Sequence, residues 1–285
     1  MLNSKEQAEN KDFLRAIAKD NYEIPADIEP FSLAQALLEN LASSDTELRD
    51  ELSYIILASG IIDQGKLSQE QLETLLTTAS NDEHLFYRIG EIGTDSVFMR
   101  SFSNLIIASI LFNDARTPQF AHSNLQLTKD KLLHYAQQEK DWRGYIEGKG
   151  WAHAMAHLAE ALDECAQHPS MVVKDRQEIL VAVSEIAPLP EPLYNEEDMR
   201  LATIPYHILL GHQVSDDFIE QWIDMCCVER EPDVISWTRI TNAKNMLRSL
   251  YFLLTWDNIM PLVTQRISKT LRKLDEIYLE RRAND

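Results

Sequence analysis

Apolar residues recur along most of this chain at steps of three and four, the spacing of one face of an α-helix. They rarely alternate as a half-buried strand requires. Phe13, Leu14, Ile17 and Ala18 make a first stripe, and Leu33, Leu37, Leu38 and Leu41 a second. Leu48, Leu52, Ile55 and Ile56 make a third, and Leu72, Leu75 and Leu76 a fourth. Ser4, Ser32, Asp45 and Ser68 stand where N-caps of these helices belong. Asn81 opens a short helix ending around Gly90 to Gly93, and Thr94 or Asp95 caps the next one. From Val97 to Phe112 that next segment is apolar on nearly every face, which places it inside, between other layers. Arg100 within it is costly unless a carboxylate meets it. Later stripes run through Leu127 to Tyr135, Trp151 to Cys165, Ile179 to Val183, and Phe218 to Met225. Asn195 caps a helix that Pro205 kinks or breaks. Two last helices span roughly 234–256 and 261–281. The pattern predicts about a dozen helices and no significant sheet.

Arginines punctuate this pattern. Arg100, Arg143, Arg200 and Arg248 follow one another at 43, 57 and 48 residues, and Arg49 lies 51 before Arg100. Helical-hairpin repeats of the HEAT and armadillo type have periods of about 40–47 residues. The expected fold is therefore all-α: stacked helical hairpins forming an α-α superhelix, with these arginines in ion pairs between repeats. The chain reads as one domain over 1–285. The Pro188-Leu189-Pro190-Glu191-Pro192 stretch (188–194) is the best internal boundary.

Charge narrows the partners. Asp and Glu outnumber Lys and Arg by 46 to 27, for a net charge of −19. That argues against nucleic acid and against anionic membrane surfaces. Three cysteines, Cys165, Cys226 and Cys227, make no disulfide framework and suit the cytoplasm. The first residues carry no basic segment followed by an apolar run, and so no signal peptide is expected.

The least ordinary stretch is Glu139–Glu164, EKDWRGYIEGKGWAHAMAHLAEALDE. Gly144, Gly148 and Gly150 mark a turn. Gly144, Gly148 and Lys149 only approximate a phosphate loop: the spacing is one residue short, and Gly150 stands where Ser or Thr binds magnesium. From Trp151 the spacing is helical, with Trp151, Met155, Leu158, Leu162 and Cys165 on a buried row. His153, His157, Glu160 and Glu164 lie on another row. Two His at i and i+4 with a carboxylate one turn on form a minimal metal set, His153, His157 and Glu160. The Glu that metalloproteases carry after the first His is missing, and so no metal or other cofactor is expected.

The core RGYxxxKGWAHAxAH, with MRSFSNLIIASIL before it, resembles the signature of a bacterial family known as domain of unknown function 2785. The resemblance reaches from about Phe31 to the EEDMRLA segment and beyond. It implies a helical, cytoplasmic protein and no particular activity. It singles out Arg100, Glu139, Asp141, Arg143, Gly144, Lys149, Gly150, Trp151, His153 and His157.

Two functional readings follow. The first is a binding scaffold with a groove lined by Arg100, Trp142, Arg143, Tyr145, Lys149, Trp151, His153, His157 and Glu160. Its occupant would be a protein, a peptide or a small molecule. The second is a hydrolase-type enzyme acting on a sugar or other polar molecule in that groove. Its acid–base candidates are His153, His157, Glu139 and Asp141.

Overall fold

The computed structural model describes residues 3–276. The chain divides after Ser170 into two compact units. The first holds α1 (Ser4–Glu9), α2 (Lys11–Lys19), α3 (Pro30–Glu39), α4 (Gln69–Ala79), α5 (Ser96–Arg116), α6 (His122–Gln138) and α7 (Ala154–Gln167). The second holds α8 (Val173–Ile186), α9 (Glu197–Leu210), α10 (Asp216–Met225), α11 (Val234–Trp256) and α12 (Pro261–Leu274). The last helix was expected to reach 281; positions 277–281 lie outside the described residues. The protein is nearly all α. The small exception is a hairpin, β1 (Tyr145–Ile146) against β2 (Gly150–Trp151), built where the sequence suggested only a turn.

Local chemistry explains the departures from the expected boundaries. One helix was expected after Ser4, but Asn10 splits it. Its side chain accepts from the amides of Asp12 and Phe13 and so starts α2 afresh. The stretch after Asn81 forms successive turns rather than a helix. Pro205 sits inside α9 without ending it. The Pro188–Pro192 segment lies within the second unit. Asn242 donates to the carbonyls of Leu189 and Glu191 and accepts from Leu193 N.

Between α3 and α4 the chain winds more widely than an α-helix, in π-helical segments Glu47–Tyr54 and Ile56–Ile62. The i−5 bond from Asp63 N to Ala58 O closes this stretch at 2.9 Å. The wider turn changes which residues share a face. Arg49, Ser53, Ala58 and Ile62 are buried, whereas Leu48 and Ile55, expected inside, are half-buried.

Core formation centres on α5. Val97, Phe98, Ile106, Ile107, Ile110 and Leu111 are fully buried against α4, the π segments and, most extensively, α7. This is the described helix long and apolar enough to cross a membrane; 78% of that window is buried inside the protein, as befits a core helix. In the second unit α9 packs on α11, and α10 on α8 and α12. Trp222 anchors α10 by donating its indole N–H to Leu180 O at 2.6 Å.

Polar ties repeat this next-but-one packing at a nearly constant separation. Asn113 to Ile62, Lys131 to Ser80, Ser249 to Asp198 and Tyr206 to Asp257 each span 51 residues, and Arg143 to Thr94 spans 49. The arginines that suggested a repeat do not share one role. Arg100 and Arg49 are fully buried, Arg143 is half-buried, and Arg200 is exposed.

Candidate functional site

The loop after α6 begins with Glu139 and Asp141, both expected as acid–base candidates. They are 2% and 1% exposed, and folding uses their oxygens. Glu139 accepts from Arg100 Nε at 2.6 Å and Nη2 at 2.9 Å, and from the amides of Lys140 and Asp141 at 2.8 Å each. Arg100 spends its remaining donors on Ser96 Oγ and on the carbonyls of Tyr87, Arg88 and Glu91. Arg100 thus meets the carboxylate its burial requires, and its side chain is fully buried. Asp141 accepts from Gly93 N at 2.9 Å and from Arg143 Nε and Nη2 at 2.6 Å each. These donors occupy most of the acceptor sites on both carboxylates and tie them to the loop and its neighbours. Trp142 is buried edge-to-face with Tyr135.

The glycines then turn the chain. Gly148 and Gly150 have φ of +75° and +80°, which favour glycine. Lys149 between them pairs with Asp95 at 2.6 Å. Its carbonyl accepts from Arg49 Nη2 at 2.9 Å, which seats the hairpin on the π-helical segment. Tyr145 and Trp151 face each other across the strands with rings 5.1 Å apart, and they are 56% and 40% exposed.

Helix α7 begins three residues later than its apolar spacing suggests. Trp151 belongs to the strand, and His153 is the N-cap in a left-handed conformation, φ 47°. The predicted buried row holds from Met155 through Leu158 and Leu162 to Cys165, all fully buried. The two imidazoles lie with ring centres 5.7 Å apart and nearly perpendicular. Among the described residues no group of three or more His, Cys, Asp or Glu gathers as a metal site.

What the segment does assemble is a row of rings. Trp151 lies 4.0 Å from His153, His157 lies 4.9 Å from Phe102, and Phe102 lies 6.0 Å from Tyr54. At its far end a pocket of about 280 Å³ opens between the π segment, α5 and α7. Tyr54, Leu105, Ser109, Phe112, Glu160 and Glu164 line it. Burial raises the pKa of the Tyr54 phenol, and the negative charge of Glu160 adds to the effect. Of these residues only Glu160 was expected in the groove. Tyr54, Ser109 and Phe112 lie 106, 51 and 48 residues before Glu160; the one hint was an aromatic on each element.

The segment just described falls within a recognisable family. The chain belongs to the family described as protein of unknown function (DUF2785), which it matches over residues 85–252. No curated protein and no solved structure matches it. The DUF2785 match takes in α5, the hairpin and α7, and runs through most of α11. Arg49 and Tyr54, which seat the hairpin and border the pocket, lie before it.

Proposed function

We propose that this protein is a binding module whose ligand-facing surface is the strip shared by the π segment, α5 and α7. The observation that carries this reading is the pocket bordered by Tyr54 and Phe112, which the ring contacts through buried Phe102 and His157 link to exposed Trp151 and Tyr145. Its size suits one or two side chains of a protein or peptide partner better than a whole cofactor. Glu139 and Asp141 are spent on holding the loop, which favours binding over hydrolysis. Next-but-one helix packing, with ties recurring about every 51 residues, supports stacked hairpins, an architecture that presents extended binding surfaces. Three unbridged thiols support a cytoplasmic setting.

A photo-crosslinking phenylalanine analogue at position 112 tests this. A discrete adduct that disappears when Tyr54→Ala is added is the expected result. Adducts indistinguishable from those of the same analogue at exposed Leu262 would overturn it.

A further inference from the structure

A second pocket, of about 340 Å³, opens between α4 and α6, and it shares no residue with the pocket beside Tyr54. Thr74, Thr77, Thr78 and Thr128 line it. Each of these hydroxyls donates to the carbonyl four residues earlier in its own helix, at 2.8 to 2.9 Å. A hydroxyl has one proton and two lone pairs. With the proton spent inside the helix, four side chains offer only acceptors to whatever enters.

The charges on this wall are separated by sign. Glu70 and Glu73 sit in the first half of α4, where Glu73 also accepts from Gln69 Nε2 at 2.9 Å. Lys131 reaches the other end of α4 and donates to Ser80 Oγ at 3.1 Å. Ser80 is seven residues beyond Glu73, about 10 Å of helix rise. Leu76 and exposed Leu127 supply an apolar surface between the two ends. A matching ligand has an ammonium, a carboxylate about 10 Å away and N–H donors along its length. Three extended residues span that distance, at about 3.3–3.6 Å each.

We propose that the α4–α6 pocket binds a short free peptide of about three residues. Its N-terminal ammonium lies on Glu73, with the charge of Glu70 one turn further out, its C-terminal carboxylate on Lys131, and its amide N–H groups on the threonine oxygens. Burial lowers the pKa of the half-buried Lys131 ammonium, against the opposing charge of Asp82.

Calorimetric titration of the full chain with tri-alanine, N-acetyl-tri-alanine and tri-alanine amide tests the proposal. Tri-alanine is expected to bind, and each block to weaken it about tenfold. In Glu70→Gln/Glu73→Gln the acetyl block ceases to matter, and in Lys131→Met the amide block does. Methyl shifts of Leu76 and Leu127 on adding tri-alanine locate the site in the unaltered protein. Equal binding of all three peptides, penalties that persist in the variants, or no binding or methyl shift at about 10 mM would each overturn it. Position 112 crosslinking is independent of this pocket, and either proposal can fail alone.

Discussion

Arg49 Nη2 donates to Lys149 O at 2.9 Å across 100 residues of chain, and this bond holds the hairpin on the π-helical segment. The same guanidinium stacks on Phe98 at 3.9 Å and donates to Ser43 O at 2.7 Å. Lysine keeps the charge but has neither the fork nor the flat face. Arg49→Lys is expected to cost about 2–4 kcal/mol, read as a lower urea midpoint, with Trp151 becoming more exposed to quenchers.

Gly150 and Gly148 share a left-handed backbone but not a neighbourhood. A Cβ on Gly150 falls 2.8 Å from Thr46 Cγ2, whereas one on Gly148 meets nothing within 4 Å. Gly148→Ala should cost only the conformational term, about 1–2 kcal/mol. Gly150→Ala should cost about 1–3 kcal/mol more, because the hairpin must lift off its seat. Thermal melts of the two variants side by side make the comparison.

Breaking the buried pair of Arg100 and Glu139 leaves a charge in the core. Glu139→Ala is expected to cost about 3–5 kcal/mol. Arg100→Met/Glu139→Leu should be less damaging than the two single losses summed, since neither charge then remains. A double-variant cycle in denaturant measures that coupling.

His84 is buried, with Nδ1 3.0 Å from Asn81 Oδ1 and Nε2 3.5 Å from Glu39 Oε1. Burial holds its pKa below the usual 6.5, against the pull of Glu39 and Glu83. The unfolded chain therefore takes up this proton at a higher pH than the folded one. Stability from this group is complete above pH 6.5 and falls as pH drops through that value toward the folded pKa. His84→Gln should flatten the fall in melting temperature between about pH 6.5 and 5.

The helical fold was legible because period and burial agree: Met155, Leu158, Leu162 and Cys165 form the row that their spacing announced. Arg100 was legible too, as a buried charge in need of a carboxylate. Position within a motif misled elsewhere. Glu139 and Asp141 look catalytic beside tryptophans and histidines, yet backbone amides and two guanidinia claim them, and no spacing rule reveals such claims. His153 fits a helix by count, but its left-handed cap conformation depends on the preceding hairpin. The π winding hid Arg49 in the core and set Tyr54 beside the pocket, because a wider turn changes the residues that share a face.

The order in which a ribosome delivers these pieces gives the Arg49–Lys149 tie a temporal meaning. Arg49 emerges 100 residues before its acceptor, a wait on the order of 5–20 s at ordinary synthesis rates. Until then Nη2 lacks the Lys149 carbonyl, although Ser43 and Phe98 are already made, and the wide helix lacks the contact that the hairpin supplies. The glycine turn is the late latch on a segment made long before it.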